Sequence, residues 1–373
     1  MILILIMSVL LLTRTGRHIS TGGLNVMEDK EFGNTYIGLS IDQFNDLGFS
    51  FGDSVDIFFD NGMKFRDVPY YSGYYTPVGG FLLCGYPGYP HPMVTFNYGD
   101  PTWLDFGISK DTEVVVVLNE KGKYRATEDL NALHYSDKRS DYDSANRSEY
   151  ESDAVFANFR EVRGGNLKDK AIYRSASPCD DKHNRAAYAN RFTEKNRINF
   201  VINLSDSEES YRASADAPGF ASTYYDSLYK AGNVLLMGLN ANYRSDDFAN
   251  KIAGALVEMT KHPAPCLIHC VEGKDRTGFA CALILALAGA TPEEIIDDYM
   301  LTYANYYGII KEKEPERYDA ILVNVKDFLY CMCDADEGTP LSALNLRQGA
   351  ENYLCRGGLS KPQIERIREY ISK

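Results

Sequence analysis

The 373-residue chain lacks a long apolar run: residues 2–12 (ILILIMSVLLL) make 11, against the roughly 20 that cross a bilayer. That run has the length of a signal-peptide core, but no Lys or Arg precedes it, Arg14 and Arg17 follow it, and no A-x-A cleavage site is visible. A secreted or cell-surface location is therefore expected over a cytoplasmic one, with no membrane span apart from this N-terminal signal or anchor. Positive charge is also in deficit. The 39 Lys and Arg stand against 52 Asp and Glu, a net charge of −13, which argues against a dedicated nucleic-acid binder and makes any basic loop informative. The 8 cysteines include no C-x-x-C pair and no Cys/His zinc spacing, so a disulfide scaffold and a zinc finger are both disfavoured. Cys331 and Cys333 stand too close for a ready mutual disulfide, and most of the cysteines read as packing residues. His18, His91, His134, His183 and His262 are isolated and offer no metal-ligand spacing.

What is present, 45% apolar and 24% charged residues, belongs to a globular chain whose length suggests two domains. From about residue 34 to 125, short strand-like runs alternate with turns: GDSVDIFF before Asp60-Asn61-Gly62, VGGFLLCGY before Pro87-Gly88, and DTEVVVVLNE before Lys121-Gly122-Lys123. The Asn-Gly pair predicts a hairpin, Val114 to Val117 predicts a strand buried on both faces, and no helical period interrupts them. Tyr70, Tyr71, Tyr74, Tyr75, Tyr86, Tyr89 and Tyr98 crowd this region; packing is favoured for them over stacking on sugars or peptides. Residues 127–153 are charged, Ser-rich and poor in aliphatics, as a linker would be. Beyond them strands at 171–173, 200–204 and 266–269 alternate with helices at 249–260, 277–288 and 362–371, with a further helix opening at Pro292, the pattern of an α/β domain around a largely parallel sheet. The expected boundaries are an N-terminal segment at 1–32, an all-β domain at 33–126, a linker at 127–153 and the α/β domain at 154–373.

Chemistry concentrates at Pro265-Cys266-Leu267-Ile268-His269-Cys270-Val271-Glu272-Gly273-Lys274-Asp275-Arg276-Thr277-Gly278. An apolar strand enters this loop and an apolar helix leaves it. The spacing of Cys270 and Arg276 lets the backbone amides of Val271, Glu272, Gly273, Lys274, Asp275 and Arg276 converge with a helix N-terminus on one tetrahedral dianion. The same field favours a thiolate at Cys270, a nucleophile needing no adjacent base. Arg276 can hold two phosphoryl oxygens, Gly273 permits the tight turn, Thr277 can bond the departing sulfur, and His269 fixes the loop from behind.

The form HCVEGKDRTG resembles the signature of the cysteine-dependent tyrosine phosphatases, in particular the atypical bacterial group with a G-K-D-R-T-G loop. Asn158-Phe159-Arg160, Gly164-Gly165 and Tyr173-Arg174-Ser175 are similar to the opening segments of those domains, so the likeness covers about residues 154–308 and the helices beyond. It implies a tyrosine-phosphatase-like α/β fold with helices flanking the sheet, preceded here by the smaller all-β domain. Asn203 and Ser205 depart from the family's usual acid and arginine, which puts any role tied to those two in doubt. The resemblance assigns the general acid to Asp275; Asp206, just past a strand end, is the second candidate. Arg160 and Arg174 add positive potential or serve structural ion pairs.

The reaction implied is phosphomonoester hydrolysis through a phosphocysteine, without metal or cofactor, on a phosphotyrosine protein or peptide. Lys274 resembles the basic loop residue of lipid phosphatases, which keeps a phosphoinositide or dual specificity open; a phosphate-binding module without turnover is the non-enzymatic alternative. Tyr299, Tyr303, Tyr306 and Tyr307 fall near helical spacing, as a pocket wall or, more commonly, a core stripe would. In the first domain, Gly52-Asp53-Ser54-Val55 and residues 112–118 resemble the small β domain of S-adenosylmethionine hydroxide adenosyltransferases, over too short a span to transfer an activity.

Overall fold

The computed structural model describes residues 19–30, 33–86, 89–132 and 146–373. The apolar run at 2–12, the Pro87-Gly88 turn and residues 133–145 of the expected linker lie outside them. The chain divides into two compact units, the boundary falling after Ala132.

The first unit is a closed barrel. Its strands are β1 (Leu24–Glu28), β2 (Thr35–Ile37), β3 (Ser54–Phe59), β4 (Lys64–Tyr71), β5 (Phe81–Cys84), β6 (Met93–Phe96) and β7 (Glu113–Glu120), in the order β1-β2-β6-β5-β4-β3-β7. Period-two burial sets the inner face: Val55, Ile57 and Phe59 point inward from β3, Val114 and Val116 from β7. Val115 and Val117 are half-buried, so β7 alternates and is not covered on both faces. The Asn61-Gly62 pair does close the β3–β4 hairpin, with Gly62 at φ +99°. The barrel begins before residue 33, because β1 pairs with both β2 and β7 and so removes two exposed edges.

Three short helices qualify the all-β expectation: α1 (Ile41–Asp46), α2 (Thr102–Asp105) and α3 (Arg125–Asn131). Ser40 and Gln43 form a reciprocal capping box at α1, which delivers Phe44 to the core, 4.1 Å from the Phe49 ring. Helix α3 takes the first part of the expected linker into the barrel unit: buried Glu128 accepts from the Ser72 amide at 3.1 Å. Tyr70 lies in the barrel core, while Tyr71, Tyr74, Tyr75 and Tyr86 pack around Leu82 and Cys84 in a separate cluster.

The second unit carries α4 (Asp153–Phe156), β8 (Arg160–Glu161), β9 (Ile172–Ser175), α5 (Ala186–Lys195), β10 (Phe200–Asn203), α6 (Glu208–Ala215), α7 (Thr223–Lys230), β11 (Val234–Leu236), α8 (Asp246–Met259), β12 (Cys266–His269), α9 (Asp275–Leu287), α10 (Pro292–Tyr307), α11 (Pro315–Cys333), α12 (Leu346–Arg356) and α13 (Lys361–Ile371). It begins ahead of residue 154, since Tyr150 is buried with its ring 4.9 Å from that of Phe156. The sheet order is β11-β10-β12-β9-β8; the first four strands run parallel and β8 is an antiparallel edge. Strands β9, β10 and β12 are buried along their whole length, as a parallel sheet covered on both faces requires. Tyr173, Val201 and Leu267 pack with residues of α5, α6 and α7. Helix α9 is buried from Thr277 to Leu287, so it is apolar on every side. Its N-terminus meets the end of β12, and the loop between them holds Cys270. Among the described residues no helix is long and apolar enough to cross a membrane.

Candidate active site

Strand β12 is central and parallel to its neighbours, so the loop after it opens at the carboxyl end of the sheet, where α/β folds place ligands. Cys270 is the first loop residue and is 3% exposed. The carbonyls that follow are all engaged. The Cys270 oxygen bonds the His269 ring at Nδ1 (3.2 Å), and the Val271 oxygen accepts from the Ser177 amide (2.9 Å). The Glu272 oxygen accepts from the Tyr306 hydroxyl (2.7 Å) and the Gly273 oxygen from Arg174 NH2 (2.7 Å). The Lys274 oxygen accepts from the Gly278 amide (2.7 Å). Asn158 Nδ2 adds longer bonds to the Glu272 and Gly273 oxygens, at 3.4 and 3.3 Å. A loop whose oxygens are tied outward turns its N–H groups inward. Among the described residues the amides of Val271, Gly273 and Lys274 meet no backbone acceptor. Gly273 is required here: its φ is +66°, and a Cβ would stand 2.0 Å from the Ser175 oxygen.

Arg276 NH1 donates to the Leu239 carbonyl at 2.8 Å, in the segment after β11. Thr277 Oγ1 is buried with no hydrogen-bond partner among the described residues, an unused hydroxyl one residue from Arg276. Lys274 Nζ lies 2.8 Å from Glu272 Oε2 and 3.9 Å from Asp275 Oδ2. Burial opposes charge on Lys274, but Asp275 and Glu272 outweigh it and hold the amine well above its ordinary value. The Asp275 side chain is 37% exposed. Partial burial and then the Glu272 charge push its carboxyl up, with Lys274 and Arg276 opposing.

Asp206 is buried three residues past the end of β10. It is 6% exposed and accepts from Asn203 Nδ2 at 2.7 Å, from Ser210 Oγ at 3.3 Å and from the Cys179 thiol at 3.4 Å. Asn203 also donates to the Tyr225 hydroxyl at 2.8 Å, and that hydroxyl lies 3.2 Å from His269 Nε2. An amide has the two donors that this junction uses, and a carboxylate there would have none; that accounts for the departure at position 203. Burial lowers the His269 imidazole to about 4 against the pull of Asp206, so the ring is neutral at neutral pH. A neutral ring accepting at Nε2 carries its proton on Nδ1, which then donates to the Cys270 carbonyl.

Arg174 is fully buried and therefore supports the loop from behind rather than meeting a ligand. Its partner is Asp298 of α10, which also binds Arg160 Nε at 3.3 Å. The ion pairing expected for the two arginines is thus internal. Asp298 and Thr302, which share one face of α10 with Tyr306, carry no local signal in the sequence; the four tyrosines expected as a pocket wall or core stripe are all buried. Among the described residues no group of His, Cys, Asp and Glu is arranged to hold a metal ion.

Residues 155–373 match the tyrosine phosphatase family, and the chain belongs to it. No curated protein sequence is significantly similar to the chain. Two solved structures of TpbA from P. aeruginosa are similar to it. One, a complex with pTyr, is 15% identical, covers 52% of this chain and 96% of its own, and has a TM-score of 0.28. The other is also 15% identical, covers 52% of this chain and 92% of its own, and has a TM-score of 0.29.

Proposed function

We propose that this family member hydrolyses phosphotyrosine in a protein or peptide through a phosphocysteine formed at Cys270. The observation that carries the reading is the loop backbone: the carbonyls from Cys270 to Lys274 are each held on the outside, which leaves the amides and the start of α9 to a phosphoryl group. Arg276 leaves Leu239 and grips two equatorial oxygens. Cys270 Sγ attacks phosphorus, the S–P bond forms as the P–O ester bond breaks, and Asp275 gives its proton to the leaving phenolic oxygen. Water then attacks phosphorus and yields its proton to the Asp275 carboxylate. The S–P bond breaks, the Thr277 hydroxyl bonds the departing sulfur, and inorganic phosphate leaves.

Asp275 is preferred to Asp206 as the acid because it is exposed at the loop and its carboxyl is raised, which favours the protonated form the first step needs. Pairing of Lys274 with Glu272 and Asp275 favours a phosphotyrosine ester over a phosphoinositide, since the amine is already matched. Intact Cys270, Arg276 and Thr277 support turnover over phosphate binding alone.

The test is phosphate release by wild type and Cys270→Ser from phosphotyrosine peptide, phosphoserine peptide and phosphoinositide, with a chelator present. Release confined to phosphotyrosine and lost in Cys270→Ser is expected. Release mainly from the lipid would move the substrate class, and phosphate binding without release would leave a binding module.

A further inference from the structure

Arg160, Asp298 and Arg174 form a buried triad of two cations and one carboxylate, with side chains 11%, 8% and 0% exposed. Each carboxylate oxygen takes one arginine: Oδ1 lies 3.3 Å from Arg160 Nε and Oδ2 bonds Arg174 NH1. Arg160 NH2 donates onward to Thr302 Oγ1 at 2.9 Å, and Arg174 NH2 to the Gly273 carbonyl at 2.7 Å. Burial would raise Asp298, yet the two arginines outweigh it and hold the carboxyl below its ordinary value. Burial and the charge of Arg174 lower Arg160 to about 10, which leaves it protonated at neutral pH. The triad therefore keeps one surplus positive charge in a dry site.

Taking three charges out of water is costly, and fixing a loop carbonyl does not need it. Neutral donors already do that work beside it: Tyr306 holds the Glu272 oxygen, and Asn158 reaches both the Glu272 and the Gly273 oxygens. Through Arg174 the surplus cation touches the Gly273 carbonyl, three residues along the loop from the nucleophile. Burial weakens the hold of Arg174 on its proton, but the Asp298 carboxylate outweighs it.

We propose that the Arg160–Asp298–Arg174 triad is a positioning device for Cys270, which fixes the back of the loop through Gly273 and holds the sulfur as a thiolate by its surplus charge. This rests on the reading of Cys270 as nucleophile. Other groups near the sulfur do not supply the same charge. On the loop, Lys274 is matched by Glu272 and Asp275. On β12, His269 is neutral, and after β10, Asp206 is bound by Asn203. Burial pushes the Cys281 thiol of α9 up to about 12 and raises the Tyr306 hydroxyl of α10, so both stay protonated. Arg185 lies over the Tyr306 ring, 4.6 Å from its centroid. Arg276, the triad and Arg185 remain as the cations, and of these the triad bonds the loop carbonyl at Gly273.

The test is the pH dependence of Cys270 alkylation by iodoacetamide in the full chain, read by mass on the Cys270 peptide, with kcat measured in parallel. Arg174→Met and Arg160→Gln are expected to raise the midpoint by about one pH unit. Alkylation at about pH 6 then slows roughly tenfold. Arg174→Lys keeps the charge, so it keeps the midpoint while kcat falls through loss of the forked contact to Gly273 and Asp298. An unmoved midpoint in Arg174→Met and Arg160→Gln overturns the proposal. If Arg174→Met does not fold, Arg160→Gln decides alone, because it leaves the Arg174–Gly273 bond in place. Failure of the nucleophile reading is separate: Cys270→Ser would then retain turnover, whatever the midpoints do.

Discussion

The two units bury different things. In the barrel the ion pairs keep one partner in water: Arg66 is 70% exposed beside Asp56, and Lys121 is 51% exposed beside Asp53. In the α/β unit the pairs behind the loop are dry, with Arg174 at 0% and Asp298 at 8%. The barrel core is instead aromatic and aliphatic, with Phe44 stacked on Phe49 and edge-on to Tyr70. Exposed pairs contribute little and are screened, whereas buried ones are costly unless every hydrogen bond is made. Dry charge thus marks the loop that carries the nucleophile, and the barrel has no such pair among these.

The largest effect expected on this contrast comes from Gly273→Ala. The added Cβ meets the Ser175 carbonyl, so the loop must shift and turnover should fall on the order of a thousandfold. Steady-state kinetics on a phosphotyrosine peptide checks it; near-wild-type kcat would mean that the loop tolerates displacement. Next, Asp275→Asn should lower kcat by about a hundredfold, and Asp206→Asn by clearly less. Activity of the wild type should decline as pH rises through the raised Asp275 value, because the acid must be protonated, and this limb should vanish in Asp275→Asn. Equal losses in the two variants would undo the choice of acid.

Barrel substitutions should touch stability alone. Ile57→Ala empties a fully buried site and should cost the barrel roughly 2–5 kcal/mol in denaturant unfolding, with phosphate release unchanged. A parallel loss of activity would show that the units are energetically coupled. Smallest of all, Arg66→Ala should cost less than about 1 kcal/mol, and less still in high salt.

The nucleophile loop was legible because its chemistry is local: strand, cysteine, glycine, arginine and apolar helix follow one another within 265–287. Strands β3, β5, β7, β9, β10 and β12 were legible as apolar runs, with ends shifted by a few residues, whereas the shorter or more polar β2, β4, β6, β8 and β11 carried no such signal. What sequence did not disclose is long-range. Asp298 stands 124 residues from Arg174, and on α10 it reads as one more acid on a solvated face until the fold brings β9 beside it. Strand β1 was missed because its five residues have too short a period to count before β7 supplies a partner. The capping box of Ser40 and Gln43, by contrast, was a local signal left unread in a region dominated by strand patterns.

The chain of bonds from Asn203 through Tyr225 and His269 to the Cys270 carbonyl has one direction. Each donor points toward the loop, and the sense is fixed at its tail: the Cys270 carbonyl can only accept, so a neutral ring donating from Nδ1 accepts at Nε2 from the Tyr225 hydroxyl. Protonating His269 would reverse the middle link, and burial delays that until pH nears 4, below its ordinary 6.5. The stability this neutral ring contributes is full above about 6.5 and is lost as pH falls toward 4. Burial thus shifts the scaffold's imidazole down and the proton donor's carboxyl up, each toward its uncharged form.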